Sequence, residues 1–256
     1  MSDAVLFEQR GPVGILTINK PKANQLSHDV FEQMRKFLDA NEVDPNIRAM
    51  IVTGSGDKIF CAGADLSAGF GDFGAVDFLK RGQDVWNKIE DYPKPVIAAV
   101  NGHALGGGCE LALVCHIRFL KKGARIGLTE TNLGIMPGYG GTLRLPKVVG
   151  RSRALEHILT GKPFESDEAL AVGLVDRLCE EGKTLDDAIA FANELAVRPP
   201  LAMKAVLKIF SASPRISPDE HLKMEREELA KLFKSKDTME GMTAFMQKRP
   251  PVFKGE

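Results

Sequence analysis

Short apolar runs that favour strands alternate with amphipathic, helix-like segments along most of this chain. Residues 13–19, 49–53 and 96–100 read as strands, whereas residues 78–89 carry apolar side chains at helical spacing. A chain that alternates in this way forms an α/β domain whose strands pair mostly in parallel. We therefore predict an α/β core that extends to about residue 195.

The pattern changes after the dipeptide Pro199-Pro200, where the strand-like runs stop. Three helix-like segments follow, at residues 201–210, 218–233 and 237–247. Their apolar positions, which include Phe245, are more numerous than a small tail can bury by itself. We expect a helical region over residues 196–256 that packs on the core of residues 1–195 or on another subunit.

Two of these helices have recognisable start signals. The segment Ser217-Pro218-Asp219-Glu220 combines an N-cap serine, a proline at the first helical position and a glutamate that can complete a capping box. Asp237 and Glu240 repeat the spacing of that box before the last helix. We therefore expect Ser217 and Asp237 to cap these two helices.

Charge and cysteine content argue against several classes of function. The chain has 34 basic and 34 acidic residues, so it lacks the net charge with which proteins attract nucleic acids or anionic membranes. Its four cysteines show neither C-x-x-C pairs nor zinc-finger spacing with histidines, and they read as reduced thiols rather than metal ligands. No secretory leader pattern and no apolar run of about 18 residues is visible, which favours the cytoplasm. We expect neither nucleic acid nor membrane as a partner.

The segment Gly106-Gly107-Gly108-Cys109-Glu110 lies where a predicted strand passes into a helix. Without Cβ atoms, a backbone N–H such as that of Gly107 can approach a ligand oxygen, and the N-terminus of the helix adds positive potential. The alternative is that the glycines only make a tight turn for close helix packing. The segment alone does not decide between an oxyanion site and a turn.

Two acidic residues strengthen the case for a site. Glu110 lies in the first turn of an otherwise apolar helix, where an unused carboxylate would be desolvated at a cost. Glu130 follows a strand-like run and precedes a loop with glycine and proline. Taken singly, Glu110 can compensate the helix dipole, Glu130 can be a surface charge, and the small residues 60–66 can form an ordinary turn. Together they indicate a pocket with two acids and accessible backbone N–H groups.

Three segments, FCAGADL, AAVNGHALGGGCELAL and LGIMPGYGGTLRLPKVVG, together resemble the crotonase family, and most of all its enoyl-CoA hydratases. The similarity extends from PKANQLS near the N-terminus to EGMTAFMQKRPPVFKG at the C-terminus. It implies a crotonase-like spiral of ββα units, followed by a C-terminal helical region that forms trimers. Because trimers of this family commonly pair, the resemblance implies a homotrimer or a homohexamer.

The resemblance also assigns roles in a hydration reaction. The N–H groups of Ala64 and Gly107 would form an oxyanion hole for the thioester oxygen of an enoyl-CoA, and Glu110 and Glu130 would be the catalytic acids. Hydration needs two proton transfers around one water: removal of its proton as it attacks C3, and delivery of a proton to C2. No metal, nicotinamide or flavin is expected, because the thioester activates the alkene and coenzyme A is part of the substrate.

Further substrate contacts follow from the same resemblance. Lys22 and Lys248 match positions near the nucleotide of coenzyme A, although a lysine on a protein surface is most often a solvated charge. Residues 65–67 border the path of the pantetheine and acyl groups, and Tyr139 either lines the acyl cavity or packs in the core. The predicted substrate-binding residues are Lys22, Ala62, Asp65, Leu66, Ser67, Tyr139, Phe245 and Lys248.

Three other interpretations stay open. The first is another crotonase reaction, either hydration of a cyclic, branched or dienoyl thioester or isomerisation of an enoyl thioester; the paired acids favour hydration. The second is a non-catalytic oligomeric scaffold or RNA-binding protein, against which the balanced charge counts. The third is a thioesterase or acyl transferase that uses Cys109 with His103 or His116. His116 and the sequence around Glu130 also depart from the common family pattern, so the resemblance does not fix the acyl group.

Overall fold

The structure is a computed structural model that describes residues 3–65 and 74–256. Leu66 and Ser67, two of the predicted substrate contacts, lie outside the described residues. The strands are β1 (Val5–Arg10), β2 (Val13–Ile18), β3 (Ala49–Gly54), β4 (Ile59–Cys61), β5 (Val96–Val100), β6 (His103–Leu105), β7 (Ile117–Lys121), β8 (Arg125–Gly127), β9 (Phe164–Glu165) and β10 (Arg177–Cys179). The helices are α1 (His28–Glu42), α2 (Gly74–Glu90), α3 (Gly107–Val114), α4 (Gly141–Val149), α5 (Arg151–Thr160), α6 (Ser166–Ala171), α7 (Thr184–Ala196), α8 (Pro200–Ala212), α9 (Pro218–Leu232) and α10 (Lys236–Met246).

The described strands form two mixed sheets that are mostly parallel. The six-stranded sheet has the order β1-β2-β3-β5-β7-β10, and its antiparallel pair is the β1-β2 hairpin. The four-stranded sheet has the order β4-β6-β8-β9, with β9 antiparallel to β8. The predicted α/β class with mostly parallel pairing is confirmed.

Three consecutive ββα units build both sheets at once. The units are β3-β4-α2, β5-β6-α3 and β7-β8-α4, and each places its first strand in the larger sheet and its second in the smaller sheet. The chain therefore advances as the spiral that the resemblance implied. Because the second strands are parallel, their carboxyl ends lie at one edge of the smaller sheet, where Ala62, Gly106 and Leu128 follow them.

A short strand that the sequence analysis did not predict, β6, lies between β5 and the glycine segment that begins at Gly106. In this strand His103 pairs with Ile59 of β4, and Ala104 pairs with Ile126 of β8. The strand has 3 residues and begins with a histidine, so its own sequence lacks a strand pattern. It forms because a neighbouring strand pairs with it on each side.

The larger sheet is covered on both faces, which explains why its central strands have no polar side. Consecutive side chains of a strand point to opposite faces. In β3, Met50 lies in the core that α1, α2 and α3 share with the smaller sheet, whereas Ile51 packs in a second core with Ala188 of α7. Helices on both sides of a parallel sheet are the arrangement expected for this class.

The C-terminal helices contact the core through α8, where Ala205 and Ile209 are buried, and through the C-terminal segment, where Arg48 Nη2 donates to the Phe253 carbonyl at 2.9 Å. Helix α9 buries none of its residues. Large apolar side chains of this region stay exposed, among them Phe245 at 86%. The division of the chain after residue 195 and the oligomerisation role of residues 196–256 remain predictions.

The starts of α9 and α10 are fixed in different ways. At α9 the predicted capping box is confirmed: Ser217 Oγ accepts from the Glu220 N–H at 3.3 Å, and the Glu220 carboxylate accepts from the Ser217 N–H at 2.8 Å. At α10 the N-cap is Ser235, whose hydroxyl accepts from the Thr238 N–H at 3.1 Å. The prediction that Asp237 caps this helix is therefore wrong.

Asp237 instead fastens the C-terminal segment. Its two carboxylate oxygens accept hydrogen bonds from the N–H groups of Lys254 and Gly255, both at 2.8 Å. Asp237 is separated from these two residues by 17 and 18 positions in the sequence. The pattern of residues close to Asp237 therefore does not reveal these hydrogen bonds.

Candidate active site

A cavity of about 660 Å³ lies at the carboxyl ends of β4, β6 and β8. Its walls are the backbone that follows β4 and β6, side chains of α2, and the chain between Thr129 and Thr142. Six predicted site residues line it, namely Ala62, Ala64, Gly107, Glu110, Glu130 and Tyr139. The other described lining residues are Gly63, Phe78, Leu79, Gln83, Gly106, Thr129, Leu133, Ile135, Met136, Pro137, Gly138, Gly140 and Thr142. Both predicted acids and both predicted N–H donors therefore lie at one cavity.

The three glycines before Glu110 serve different purposes. A Cβ on Gly108 would lie 2.1 Å from the Cys61 carbonyl oxygen, so this glycine allows α3 to pack directly on β4. Gly106 has a φ of +54°, and a Cβ there would lie 3.3 Å from Glu130 Oε1. Gly107 is the first residue of α3, so its N–H has no acceptor within the helix. Close packing explains Gly108, whereas Gly106 and Gly107 line the cavity.

Ala64 lies beside Gly107 and also keeps an unused N–H. It forms an isolated parallel bridge with Leu26, in which the Leu26 N–H donates to the Gly63 carbonyl at 2.8 Å and the Asp65 N–H donates to the Leu26 carbonyl at 2.9 Å. In such a bridge the N–H of the middle residue, Ala64, points to the opposite side. A Cβ on Gly63 would lie 3.2 Å from the Gly107 nitrogen, so the two chain segments touch. Neither the Ala64 nor the Gly107 N–H donates a hydrogen bond to a described residue.

Glu110 is buried, with 1% of its surface exposed, and its two oxygens differ. Oε1 accepts hydrogen bonds from the N–H groups of Tyr139 at 2.8 Å and Gly141 at 2.7 Å. Oε2 is buried and has no partner among the described residues. Burial raises the pKa of Glu110 to about 7; the charge of Glu130 adds to the rise, and the two N–H donors oppose it. The carboxyl group can therefore change its protonation state near neutral pH.

Glu130 begins the 3-10 turn Glu130–Leu133. Its Oε2, like that of Glu110, is buried without a partner among the described residues. Burial raises its pKa above the ordinary value of 4.5. Two acids that each keep one unpartnered oxygen thus lie beside the same cavity.

Tyr139 is both a lining residue and a packing residue. Its ring centroid lies 5.6 Å from that of Phe31 and 6.1 Å from that of Trp86. A Cβ on Gly82 of α2 would lie 2.4 Å from the Tyr139 ring, so this glycine makes room for the aromatic side chain. The hydroxyl is buried without a partner among the described residues. The two interpretations of Tyr139 from the sequence therefore do not exclude each other.

The remaining predicted contacts lie outside this cavity. Lys22 is exposed, with a φ of +84°, and lines a separate cleft of about 380 Å³ at the amino ends of β4 and β6. Asp65 follows Ala64 but is not among the described residues that line the cavity. Phe245 and Lys248 are exposed and are likewise not among the described residues that line the cavity. Their contact with the substrate remains a prediction.

Sequence reasoning missed two polar residues that shape the cavity. Gln83 of α2 donates from Nε2 to the Gly138 carbonyl at 2.7 Å. Arg144 of α4 donates from Nη1 to the Tyr139 carbonyl at 3.0 Å. Both side chains fix the loop that supplies the N–H donors to Glu110. Neither belongs to a local pattern, so the sequence gives no signal for them.

The Cys109 thiol is buried, and the imidazole groups of His103 and His116 are bound to backbone N–H groups. Burial raises the pKa of Cys109 well above its ordinary value, so the thiolate is disfavoured. His103 Nδ1 accepts from the Arg125 N–H at 3.0 Å, and His116 Nδ1 accepts from the Val96 N–H at 2.9 Å. These contacts do not support an activated cysteine nucleophile.

Two kinds of feature were not found in residues 3–65 and 74–256. No helix among them is long and apolar enough to cross a membrane. No group of three or more of their His, Cys, Asp and Glu side chains is placed to hold a metal ion. The cytoplasmic location and the lack of a cofactor remain predictions.

Comparison with known proteins decides the family. Residues 8–256 match the family described as "Enoyl-CoA hydratase/isomerase". The chain belongs to this family. Within it, the chain is 42% identical over 248 residues to a probable enoyl-CoA hydratase of Bacillus subtilis, covering 95% of this chain and 96% of the relative. It is also 38% identical to a carnitinyl-CoA dehydratase of Citrobacter koseri, covering 100% of both chains.

A solved structure of the same family has the same fold. The enoyl-CoA hydratase of Bacillus anthracis superposes with a TM-score of 0.94 at 36% sequence identity, covering 99% of this chain and 100% of that chain. The crotonase fold is therefore confirmed. The chain is a crotonase-family acyl-CoA enzyme, and its relatives include both hydratases and a dehydratase.

Proposed function

We propose that this enzyme is an enoyl-CoA hydratase, which adds water across the 2,3 double bond of a 2-enoyl-CoA to give a 3-hydroxyacyl-CoA. The observation that carries the proposal is the pairing of Glu110 and Glu130 at one cavity, each with a buried, unpartnered oxygen. Two acids match the two proton transfers that hydration requires.

In the proposed reaction, the N–H groups of Ala64 and Gly107 hold the thioester oxygen. They stabilise the negative charge that develops there as water attacks C3, and a donor of this kind contributes roughly 3 to 4 kcal/mol. Because the thioester itself activates the alkene, the proposal needs no further cofactor.

The two glutamates divide the proton transfers around the attacking water. The Tyr139 and Gly141 N–H groups occupy Oε1 of Glu110, which leaves Oε2 for the reacting water or product. Desolvation raises the pKa of both acids, and the charge of one disfavours ionisation of the other. One carboxylate and one carboxylic acid can therefore coexist near neutral pH, as hydration requires.

The test is the loss of crotonyl-CoA enone absorbance. We expect Glu110→Gln and Glu130→Gln each to lower kcat by about 10²- to 10⁴-fold. Glu194→Gln, a change of the same type at an exposed residue of α7, is the control and should leave kcat unchanged. Activity that survives in both active-site variants would refute the mechanism. Wild-type protein without activity on any acyl-CoA would favour the scaffold or RNA-binding alternative.

A related crotonase reaction is the second candidate. The similarity to a carnitinyl-CoA dehydratase favours testing acyl groups that carry a further polar substituent. A panel of straight, branched, cyclic and dienoyl thioesters, each assayed for hydration and isomerisation, distinguishes these reactions. A kcat/KM that is higher for another member of the panel than for crotonyl-CoA would replace the proposed substrate.

We further propose that the enzyme assembles as a homotrimer or homohexamer. The exposed apolar residues of the C-terminal helices, including Phe210 and Phe245, support an interface there. Phe245 lies in α10 and Lys248 follows this helix. In the proposed oligomer, Phe245 and Lys248 would contact the substrate bound to a neighbouring subunit. Sedimentation at low protein concentration tests this, and a stable monomer would contradict it.

A further inference from the structure

Arg144 is a buried cation near the cavity that holds Glu110. It lies on α4, and its side chain is 8% exposed. Its guanidinium donates from Nη1 to the Tyr139 carbonyl at 3.0 Å and from Nη2 to Asn87 Oδ1 and Glu90 Oε2, both at 2.8 Å. Because Asn87 and Glu90 belong to α2, Arg144 joins this helix to the loop that carries Tyr139.

That loop holds Glu110 through two separate peptide units. The first donates the Tyr139 N–H to Glu110 Oε1 at 2.8 Å, and its other end, the Gly138 carbonyl, accepts from Gln83 Nε2 at 2.7 Å. The second donates the Gly141 N–H to the same oxygen at 2.7 Å and lies at the start of α4. Both donor units are thus fixed at their carbonyl side, the first by Gln83 and the second by the helix.

The peptide unit between Tyr139 and Gly140 connects the two donors. A change of ψ at Tyr139 or of φ at Gly140 that the other dihedral does not compensate turns one donor relative to the other. Its carbonyl is held by the charged guanidinium of Arg144, and a hydrogen bond from a charged donor is stronger than one from a neutral donor. Gly140 has a φ of +97°, and a Cβ there would lie 2.2 Å from Arg144 Nη1. The guanidinium therefore occupies the space that this glycine leaves.

We propose that Arg144 is a positioning residue for the reaction. By fixing the Tyr139 carbonyl, it aims the Tyr139 and Gly141 N–H groups at Oε1 of Glu110 and so leaves Oε2 free for the reacting water. This inference rests on the proposed hydration for its catalytic consequence, whereas the effect on the loop is independent of the reaction.

Arg118 provides a matched control. Its side chain is 11% exposed, it pairs with Asp176 at 3.5 Å, and it donates to the carbonyl groups of Leu174 and Cys115 at 2.8 and 2.9 Å. Removal of either guanidinium should cost similar stability, because their side chains are similarly little exposed, at 11% and 8%, and both bind backbone carbonyls. Unlike Arg144, which binds the Tyr139 carbonyl, Arg118 binds carbonyl groups outside the loop of residues 138–141.

The first test is kinetic. In Arg144→Met we expect kcat with crotonyl-CoA to fall about 10- to 100-fold while KM changes by less than about threefold, because a carboxylate displaced by a fraction of an ångström loses its alignment. Arg144→Lys, which keeps a cation and a donor, should recover part of this loss. Arg118→Met should keep the wild-type kcat per folded molecule. Equal losses of kcat in Arg144→Met and Arg118→Met would overturn the proposal.

The second test does not depend on activity. Amide hydrogen exchange of residues 138–141 should be about tenfold faster in Arg144→Met than in the wild type, and unchanged in Arg118→Met. If Arg144→Met does not fold, Arg144→Lys is measured in its place and should show a smaller increase. Unchanged exchange in the Arg144 variants would overturn the positioning role even if hydration is correct. Faster exchange in a protein that hydrates no substrate would leave the loop role intact and refute the proposed function instead.

Discussion

The cavity and the C-terminal helices leave opposite kinds of groups without partners. Beside the cavity, the polar groups without a described partner are two backbone N–H groups, the Tyr139 hydroxyl and one oxygen each from Glu110 and Glu130. In the C-terminal region α9 and α10 begin with side-chain caps and ion pairs are formed, whereas Phe210 and Phe245 are exposed at 74% and 86%.

This difference indicates what each region binds. A buried polar group without a partner costs about 1 to 3 kcal/mol, so several such groups at one place indicate a ligand that supplies their hydrogen bonds. An exposed apolar surface indicates a protein surface that covers it. We therefore expect a thioester to bind in the cavity and a second subunit to cover the C-terminal helices. The two regions should respond independently to substitution.

The largest effect is expected when both acids are changed together. If Glu110 and Glu130 act on one water, Glu110→Gln/Glu130→Gln should lose about as much kcat as the worse single variant, roughly 10²- to 10⁴-fold, rather than the product of the two losses. Hydration of crotonyl-CoA by the four proteins gives the double-mutant cycle. Multiplicative losses would mean that the two acids act on separate steps.

The next effect concerns stability and pH. The folded-state pKa of Glu110 is about 7, above the ordinary value of 4.5, so the folded protein keeps this proton over an interval in which the unfolded chain has released it. The free energy of unfolding should therefore fall by about 3 kcal/mol as the pH rises through that interval. In Glu110→Gln this contribution is absent.

Urea unfolding of the wild type and Glu110→Gln at several pH values between 4.5 and 8 measures the difference. The variant should gain stability relative to the wild type as the pH rises. If the free energies of unfolding of the two proteins change in parallel with pH, the folded protein does not retain this proton. One argument that the cavity is a ligand-binding site would then be lost.

The sequence predicted those parts of the fold that carry a local pattern. Strand β3 was found because it begins with four consecutive apolar residues, and the start of α9 was found because Ser217 and Glu220 form a capping box. Strand β6 was missed because its pairing with β4 and β8 depends on distant residues. The cap of α10 was misassigned because Asp237 is used by a segment far along the chain.

The candidate site divides in the same way. Glu110 stood out as an acid inside an apolar helix, but only the resemblance to a family joined Ala64 to Gly107. Gln83 and Arg144 resemble ordinary surface residues in the sequence, because their roles arise from the packing of α2 and α4 against the loop between Gly138 and Gly141.

A smaller effect is expected when the exposed apolar face of the tail is changed. Phe245→Asp should weaken subunit association by about ten- to a hundredfold, since the burial of a phenylalanine stabilises a contact by about 1.5 to 3 kcal/mol. The control is Val43→Asp. Val43 is an apolar residue at the end of α1, outside the C-terminal region, and it is 82% exposed. Sedimentation velocity at several concentrations measures both. If both variants associate as strongly as each other, the C-terminal helices are not the subunit interface.

The smallest effect concerns the polar side of the tail. Ser217→Ala removes the N-cap of α9 and should destabilise that helix by about 1 kcal/mol. Because α9 buries none of its residues within one chain, the loss should appear as about fivefold faster amide exchange in its first turn, without a change in the unfolding of the core. Asp219→Ala, which leaves the capping box intact, is the control. A drop in the melting temperature of the whole protein would mean that the C-terminal helices and the core unfold together. The two regions would then not be independent.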